Sequence, residues 1–351
     1  MRKISIKGKN ENSNIFVGEK IGNIDKYIDV SNTIIISDKN VIHHYKKRFP
    51  DCPVIEIGYG ESLKTVATVE HIWLKLLELG ADRSTFLLGI GGGIVCDITG
   101  FAASSFMRGI SFGFVSTTLL SQTDASTGGK NGVNLDGYKN MIGGFNQPEF
   151  VICDPTMLKT LPKAELYNGF AEVIKHASIA SKSQFIFLEK HRNEVLDKNP
   201  EALEDMIFNS VSIKAKIVQA DEFETGERKK LNFGHTIAHG LQKVSNIPHG
   251  EAVAIGMMFA ADMSRKRGLL YESEFRRLNK LIYNYNLPTS IKCNKEKLID
   301  AVAKDKKQHS GTIDFVLLNS LGKSSIVPFD NAAFAKCIRD FDFVNLFGSR
   351  V

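Results

Sequence analysis

The sequence predicts an α/β N-terminal domain built on a parallel sheet, followed by a mostly α-helical domain. Three observations carry that prediction. Apolar runs with glycine or polar residues at their carboxyl ends alternate with helix-like segments as far as about Leu158, and one of them, FLLGIGGGIVCD, ends in a glycine-rich turn. Long amphipathic patterns, at residues 200–220 and 272–285, dominate afterwards. A chain of 351 residues, 43% hydrophobic, is also long enough to bury a large core in two domains. The boundary is expected at Asp154-Pro155, just after the strand-like residues 150–153, giving domains of 1–154 and 155–351.

Taken in order, TIIIS at 33–37 reads as a strand ending in Asp38-Lys39-Asn40, and PVIEI at 53–57 as another ending in Gly58-Tyr59-Gly60-Glu61. In an open α/β sheet the carboxyl ends of the strands form the ligand crevice, which would put Asp38, Asn40, Glu61 and Lys64 around one nucleotide. Ordinary helix N-capping explains Asp38 and Glu61 equally well. Residues 86–97 then read as a buried strand ending in glycines, followed by a helix-like segment, ITGFAASSFMRG, at 98–109. Backbone N–H groups at such a helix start can approach a pyrophosphate. The spacing of Gly89, Gly91, Gly92 and Gly93 is not a clean GxGxxG, and a tight structural turn accounts for it as readily.

Residues 116–148 form the densest polar segment, with Thr117, Thr118, Asp124, Gly128-Gly129-Lys130, Asn134, Lys139 and Asn140. It reads as a long surface loop, a kind mostly used for binding or as a lid. Backbone amides at the paired glycines would form an anion-binding concavity that a lysine ammonium completes.

Arg228, Asn232, His235, His239, His249 and Glu251 fall within two dozen positions. His235 and His239, four apart, project from one face of a helix, and Asn246-Ile247-Pro248 ends that helix just before His249. Imidazoles so spaced suit zinc, whose catalytic sites have three protein ligands and one open position, so further donors are to be sought elsewhere. An HxxxH pair alone is more often two capping or core histidines. The adjacent Gly234, Gly240 and Gly250 are poor helix formers and favour close approach of a ligand instead.

The segments GGGIVCDITGFAASSFMRG, STTLLSQTDASTGGKNGVN, KNMIGGFNQP, LPKAELYNGFAEVIKH, LNFGHTIAHG and HGEAVAIGM, in this order, closely resemble the 3-dehydroquinate synthase family of the sugar-phosphate cyclase superfamily. The resemblance runs from about Ser37 to Lys307. It implies a dehydroquinate synthase-like fold: a nucleotide-binding α/β domain followed by a helical zinc- and substrate-binding domain. It implies an enzyme dependent on NAD and zinc, with Co2+ a possible substitute, that converts 3-deoxy-D-arabino-heptulosonate 7-phosphate into 3-dehydroquinate and phosphate. This is the second step of the shikimate pathway.

Carried over position by position, the resemblance places the zinc ligands at Glu172, His235 and His249. NAD contacts fall on Asp38, Asn40, Glu61, Lys64, Gly92, Gly93, Asp97, Thr117, Thr118, Lys130, Lys139 and Thr160. Substrate and catalytic positions fall on Asp124, Lys130, Asn140, Lys175, Lys214, Arg228, Asn232, His239 and Lys306, the last as the first lysine of an Asp-Lys-Lys motif. Arg108 is expected to reach the substrate phosphate of a neighbouring subunit in a homodimer. His239, one helical turn beyond a ligand, is expected to meet substrate or carry a proton rather than bind metal. Three departures stand out: Leu135-Asp136-Gly137-Tyr138 replaces the family's usual His-Pro-Leu-Gly, Cys96 replaces a common glycine, and Gln242 a frequent glutamate.

In the implied reaction a secondary alcohol is oxidised, phosphate is eliminated beside the new ketone, and the hydride returns, so no net redox occurs; ring opening and an intramolecular aldol close the carbocycle. Zinc would lower the pKa of the alcohol, and Lys130, Lys175, Lys214, Arg228 and Lys306 would balance a substrate carboxylate and phosphate. A sister cyclase would alter the substrate contacts. A metal-dependent polyol dehydrogenase would release NADH, and a non-catalytic nucleotide-binding protein would have no use for a metal triad. The net charge of +6 is spread without the basic runs or aromatic interleaving of nucleic-acid binders, so no nucleic-acid partner is expected. Five cysteines without CxxC spacing point to a reducing, cytoplasmic setting, and no signal peptide or membrane-length apolar run is seen.

Overall fold

The structure, a computed structural model, describes residues 1–9, 11–306 and 312–344, without the side chains of Asp305 and Lys306. Packing divides the chain into two units, Met1–Leu166 with Pro200–Phe223, and Tyr167–Asn199 with Glu224–Val351.

The first unit is built on a sheet of β1 (Arg2–Lys7), β2 (Asn12–Val17), β3 (Thr33–Asp38), β4 (Val54–Ile57), β5 (Phe86–Gly91), β6 (Phe112–Ser116) and β9 (Phe150–Cys153). A separate hairpin pairs β7 (Lys130–Leu135) with β8 (Tyr138–Phe145). The sheet order is β1-β2-β9-β6-β5-β3-β4, antiparallel at β1/β2 and parallel elsewhere. The parallel strands are continuous apolar runs because both faces are covered: Ile35, Leu88, Ile90, Val115 and Ile152 are all buried. From β3 the chain steps outward to β4, and from β5 it steps the other way to β6. The gap between β3 and β5 is therefore the switch point where such sheets bind ligands, and Asp38 and Gly92 stand at its carboxyl edge.

Three helices follow strands in this unit: α1 (Lys39–Tyr45) after β3, α2 (Val66–Glu78) after β4 and α3 (Gly93–Ser105) after β5. A later helix, α7 (Pro200–Ala220), packs on β1 and β2. The sequence boundary at Asp154-Pro155 left α7 with the second domain, whereas packing assigns it to the first. The apolar face of the antiparallel pair, edge strand β1 and its neighbour β2, needs a cover. Arg2, whose guanidinium lies 4.2 Å over the Phe208 ring and 2.9 Å from Asp205, helps hold α7 there.

The segment 116–148, expected as a structureless surface loop, is ordered, with its first half largely buried and its exposed residues mostly around the hairpin tip. Ser121–Ala125 form one π-helical turn, and Ser121, Gln122, Thr123, Ser126, Thr127 and Asn131 are buried. Thr118 and Ser121 cap each other, the Ser121 N–H donating to Thr118 Oγ1 at 3.1 Å and the Thr118 N–H to Ser121 Oγ at 3.2 Å. The hairpin closes at Asp136 (φ 49°) and Gly137 (φ 75°), a two-residue turn whose positive φ values match the twist of the flanking strands.

The second unit is mostly helical. Its helices are α4 (Lys163–Ala180), which enters it at Tyr167, α5 (Lys182–Lys190), α6 (Arg192–Leu196), α8 (His235–Ser245), α9 (His249–Lys266), α10 (Glu272–Asn284), α11 (Lys295–Lys306) and α12 (Asn331–Asp340). The helix over 272–285 stops one residue early, and a hairpin of β10 (Thr312–Ser320) and β11 (Lys323–Asp330) was not foreseen. Helix α9 is buried along almost its whole length. Its Phe259 packs against Phe315 of β10 and Phe334 of α12, with ring centroids 5.9 and 5.8 Å away. Among the described residues no helix is long and apolar enough to cross a membrane.

Candidate active site

Each unit gathers its own set of the residues singled out in the sequence. In the second unit, α8 and α9 both begin with a histidine, and local packing brings those two ends together. Gly234, the residue before α8, is left-handed at φ 80°, and a Cβ there would lie 2.8 Å from Met257 N and 2.9 Å from Val253 O of α9. Only glycine allows both that φ and that approach. The start of α9 is tied to α4 by the Gly250 N–H, which donates to Asn168 Oδ1 at 3.1 Å. Glu172 follows Asn168 by one helical turn and so faces the same place.

Glu172 Oε1 lies 3.0 Å from His249 Nε2 and 3.4 Å from His235 Nε2, and the donor atoms of all three residues lie within 4.8 Å of one another. Glu172 is fully buried, and Lys175, 2% exposed, pairs with its other oxygen. Burial alone would push the Glu172 carboxyl up. The Lys175 ammonium outweighs that and holds it well below the usual carboxylate range. Burial and the same ammonium push His235 down to about 4, so its ring is neutral.

That ring faces Phe233 O with Nδ1 at 3.2 Å, which assigns the proton to Nδ1 and leaves the lone pair on Nε2, turned toward the carboxylate. Two acceptors so placed want a cation between them. A carboxylate and two imidazoles are a donor set that suits zinc. His239, ring edge-on to His235 with centroids 5.7 Å apart, lies one turn along α8 and outside the triad. Arg228 is buried in the turn Glu227–Asn232, and Asn232 Nδ2 donates to Glu224 Oε1 at 2.7 Å. Lys306 ends α11, but its side chain, and Lys307 altogether, lie outside the described residues.

In the first unit the second set collects at the carboxyl edge of the parallel strands. The Gly92-Gly93 step opens α3 without a side-chain cap, leaving the first N–H groups of a 13-residue helix to a ligand. A Cβ at Gly92 would stand 2.9 Å from Thr118 Cγ2. Thr117 Oγ1, buried at the end of β6, has no hydrogen-bond partner among the described residues. Asp38 is the N-cap of α1, its Oδ1 accepting from the N–H groups of Asn40 and Val41 at 2.9 and 3.0 Å. The capping reading left open in the sequence is thus realised, and the other carboxylate oxygen takes no part in it. Thr160 reaches the same helix through a 2.8 Å contact with Tyr45 Oη.

Lys64, nearly buried, bridges Asp97 and Asn140, donating to Asn140 Oδ1 at 2.6 Å. Burial raises the Asp97 carboxyl, against the pull of Lys64. Glu61 accepts from Asn134 at 2.9 Å, Lys214 pairs with Asp124 at 2.6 Å, and Lys130 and Lys139 are exposed along the hairpin. Arg108 is the residue this set does not include. It sits beyond the far end of α3, about 20 Å from the glycine turn at 1.5 Å per residue, in a kink with φ 48° at Met107 and 72° at Arg108. Asn134 and Ser121 are polar partners at this edge to which sequence reasoning attached no role. The Asp136-Gly137 turn signal would have placed Asn134 on a hairpin opposite Lys139, and the register slip after Val133 brings it to Asn140.

Residues 54–168 match the profile of the 3-dehydroquinate synthase N-terminal family, and residues 169–308 that of the 3-dehydroquinate synthase C-terminal family. The chain is 41% identical over 307 residues to the 3-dehydroquinate synthase of Dehalococcoides mccartyi strain CBDB1, an alignment covering 86% of each. The chain belongs to the 3-dehydroquinate synthase family. Solved structures of related cyclases share the fold and extend the likeness over almost the whole chain. One is a 2-deoxy-scyllo-inosose synthase complexed with carbaglucose-6-phosphate, NAD+ and Co2+ (TM-score 0.86, 26% identity, 97% of this chain and 100% of that one). Another is the 2-epi-5-epi-valiolone synthase of Streptomyces hygroscopicus subsp. jinggangensis with NAD+ and Zn2+ bound (TM-score 0.85, 26% identity, 97% of each). Family membership and the α/β-plus-helical fold expected from the sequence agree with all of these.

Proposed function

We propose that the chain is a 3-dehydroquinate synthase, converting 3-deoxy-D-arabino-heptulosonate 7-phosphate into 3-dehydroquinate and phosphate in the shikimate pathway. The observation that carries this reading is the triad of Glu172, His235 and His249, buried against Lys175 in a chain 41% identical to a 3-dehydroquinate synthase. When bound, NAD supplies a reversible hydride acceptor, and zinc or cobalt a Lewis acid at the alcohol.

The chain's own residues would do the following. Glu172, His235 and His249 hold the metal, and Lys175 keeps the carboxylate charged. The uncapped start of α3 at Gly92 and Gly93 takes the cofactor's pyrophosphate. Asp38, Asn40, Glu61, Lys64, Asp97, Thr117, Thr118, Lys139 and Thr160 bind the rest of it, and Lys130 is assigned to both cofactor and substrate. Asp124, Asn140, Lys214, Arg228, Asn232 and Lys306 orient the substrate, the cations offsetting its carboxylate and phosphate. His239, beside the triad but outside it, holds or moves a proton at the substrate. Arg108 serves a neighbouring subunit of a homodimer. Its support is the separation of about 20 Å between the kink and its own glycine turn. A cytoplasmic setting is supported by five free cysteines, two of them, Cys96 and Cys153, buried.

Metal analysis tests the division of roles. His235→Ala and His249→Ala should each lose zinc and turnover together, whereas His239→Ala should keep most of its zinc and lose turnover. A His239→Ala protein as empty of metal as His235→Ala would overturn the assignment.

A further inference from the structure

The side chain of Asn134 uses both ends of its amide, and the two partners fix which end is which. Its Oδ1 accepts the Asn140 N–H at 2.9 Å, and its Nδ2 donates to Glu61 Oε1 at 2.9 Å. A backbone N–H can only donate and a carboxylate only accept, so the amide has one orientation. Its main chain is committed as well. Pairing of β7 with β8 slips between Val133 and Leu135, and the Asn134 N–H turns away from the ladder to donate to Lys64 O at 2.8 Å, beside a bridge to Thr65.

The hairpin has little else to hold its tip. Leu135, Tyr138 and Met141 are 50%, 58% and 57% exposed, so apolar burial contributes little there. Asn140 is left-handed at φ 54°, a conformation asparagine tolerates, and the Asn134 amide grips its N–H at 2.9 Å. Asn140 Oδ1 in turn takes the Lys64 ammonium, which also meets Asp97.

We propose that Asn134 is a positioning residue for the NAD site: it clips the hairpin to the 61–65 turn and, through Asn140 and Glu61, sets where the Lys64 ammonium stands. This rests on the reading that NAD occupies the carboxyl edge of the first unit's sheet. The role requires an amide. A carboxylate of the same shape would still accept from Asn140 but would confront Glu61.

The test is a double-mutant cycle on the zinc-loaded, full-length protein, read as the NAD dissociation constant by titration calorimetry. Asn134→Asp alone should weaken NAD binding roughly tenfold or more. In a Glu61→Gln background the same substitution should cost less than about threefold, because the glutamine amide can donate to the new carboxylate; the double variant also shows that the substitution does not unfold the chain. Equal penalties in the two backgrounds, or an Asn134→Asp protein that binds NAD like the parent, would overturn the inference alone. A parent protein that does not bind NAD would overturn the cofactor reading and this inference with it.

Discussion

Replacing Lys175 with methionine removes the ammonium from a carboxylate that is itself fully buried. Glu172 is 0% and Lys175 2% exposed, so solvent cannot take over when the cation is lost. Breaking a buried pair by deleting one partner costs about 3–5 kcal/mol. For a domain of this size that corresponds to a fall of roughly 6–20 °C in apparent melting temperature. The loss should appear in full only in metal-stripped protein. With zinc on Glu172, His235 and His249, the metal restores positive charge beside the carboxylate, and the gap between Lys175→Met and parent should shrink by more than half. The assay is differential scanning calorimetry of both proteins, chelator-dialysed and zinc-loaded. Zinc should therefore raise the melting temperature of the variant more than that of the parent. A gap of the same size with and without zinc would refute the claim that the metal shares the pocket with this pair. No destabilisation in either state would refute the buried pair itself.

The acid response of the metal-free protein should follow His235. Its folded value of about 4 lies below the 6.5 of a free imidazole, so between those values the unfolded chain binds more protons. The stability contributed by the neutral ring is complete above about pH 6.5 and is lost as pH falls toward about 4. Urea midpoints at about pH 7 and about pH 4.5 should differ by less in His235→Gln than in the parent; an equal difference would mean that His235 titrates normally. Arg108→Ala and Lys175→Ala should each be nearly inactive, yet mixing them with subunit exchange should restore activity toward roughly a quarter of the parent's. Half the dimers would be mixed, each with one complete site, and no recovery despite demonstrated exchange would place Arg108 within its own subunit's chemistry.

Features governed by local periodicity were legible in the sequence. The strands at 33–38, 54–57, 86–91 and 150–153 and the helix Pro200–Ala220 fall where alternation and apolar runs put them, and α8 ends at a left-handed Asn246 just before Pro248. The histidine cluster was visible from spacing, but spacing paired His235 with His239, whereas the structure groups His235 with His249, which opens the next helix, and leaves His239 outside. Glu172 was not visible from spacing, since 63 residues separate it from His235 and only the fold brings α4 to them. It came from the likeness to a family. The 116–148 segment misled because its polar residues are buried as hydrogen-bonded partners: Gln122 Nε2 donates to Ser116 O and Asp154 O, both at 2.9 Å. Composition cannot distinguish such a residue from a solvated one. The placement of α7 was equally hidden, because its apolar face does not say which sheet it covers.

The most direct measurement of the central claim is redox balance. Purified, zinc-loaded protein is incubated with 3-deoxy-D-arabino-heptulosonate 7-phosphate and a small, substoichiometric amount of NAD, while phosphate, 3-dehydroquinate and NADH absorbance are followed together. A synthase returns the hydride within each turnover, so phosphate and 3-dehydroquinate should appear in equal amounts far exceeding the NAD supplied, with no steady rise of NADH. NADH accumulating in step with substrate consumed, and a reaction that stops when NAD is exhausted, would contradict it.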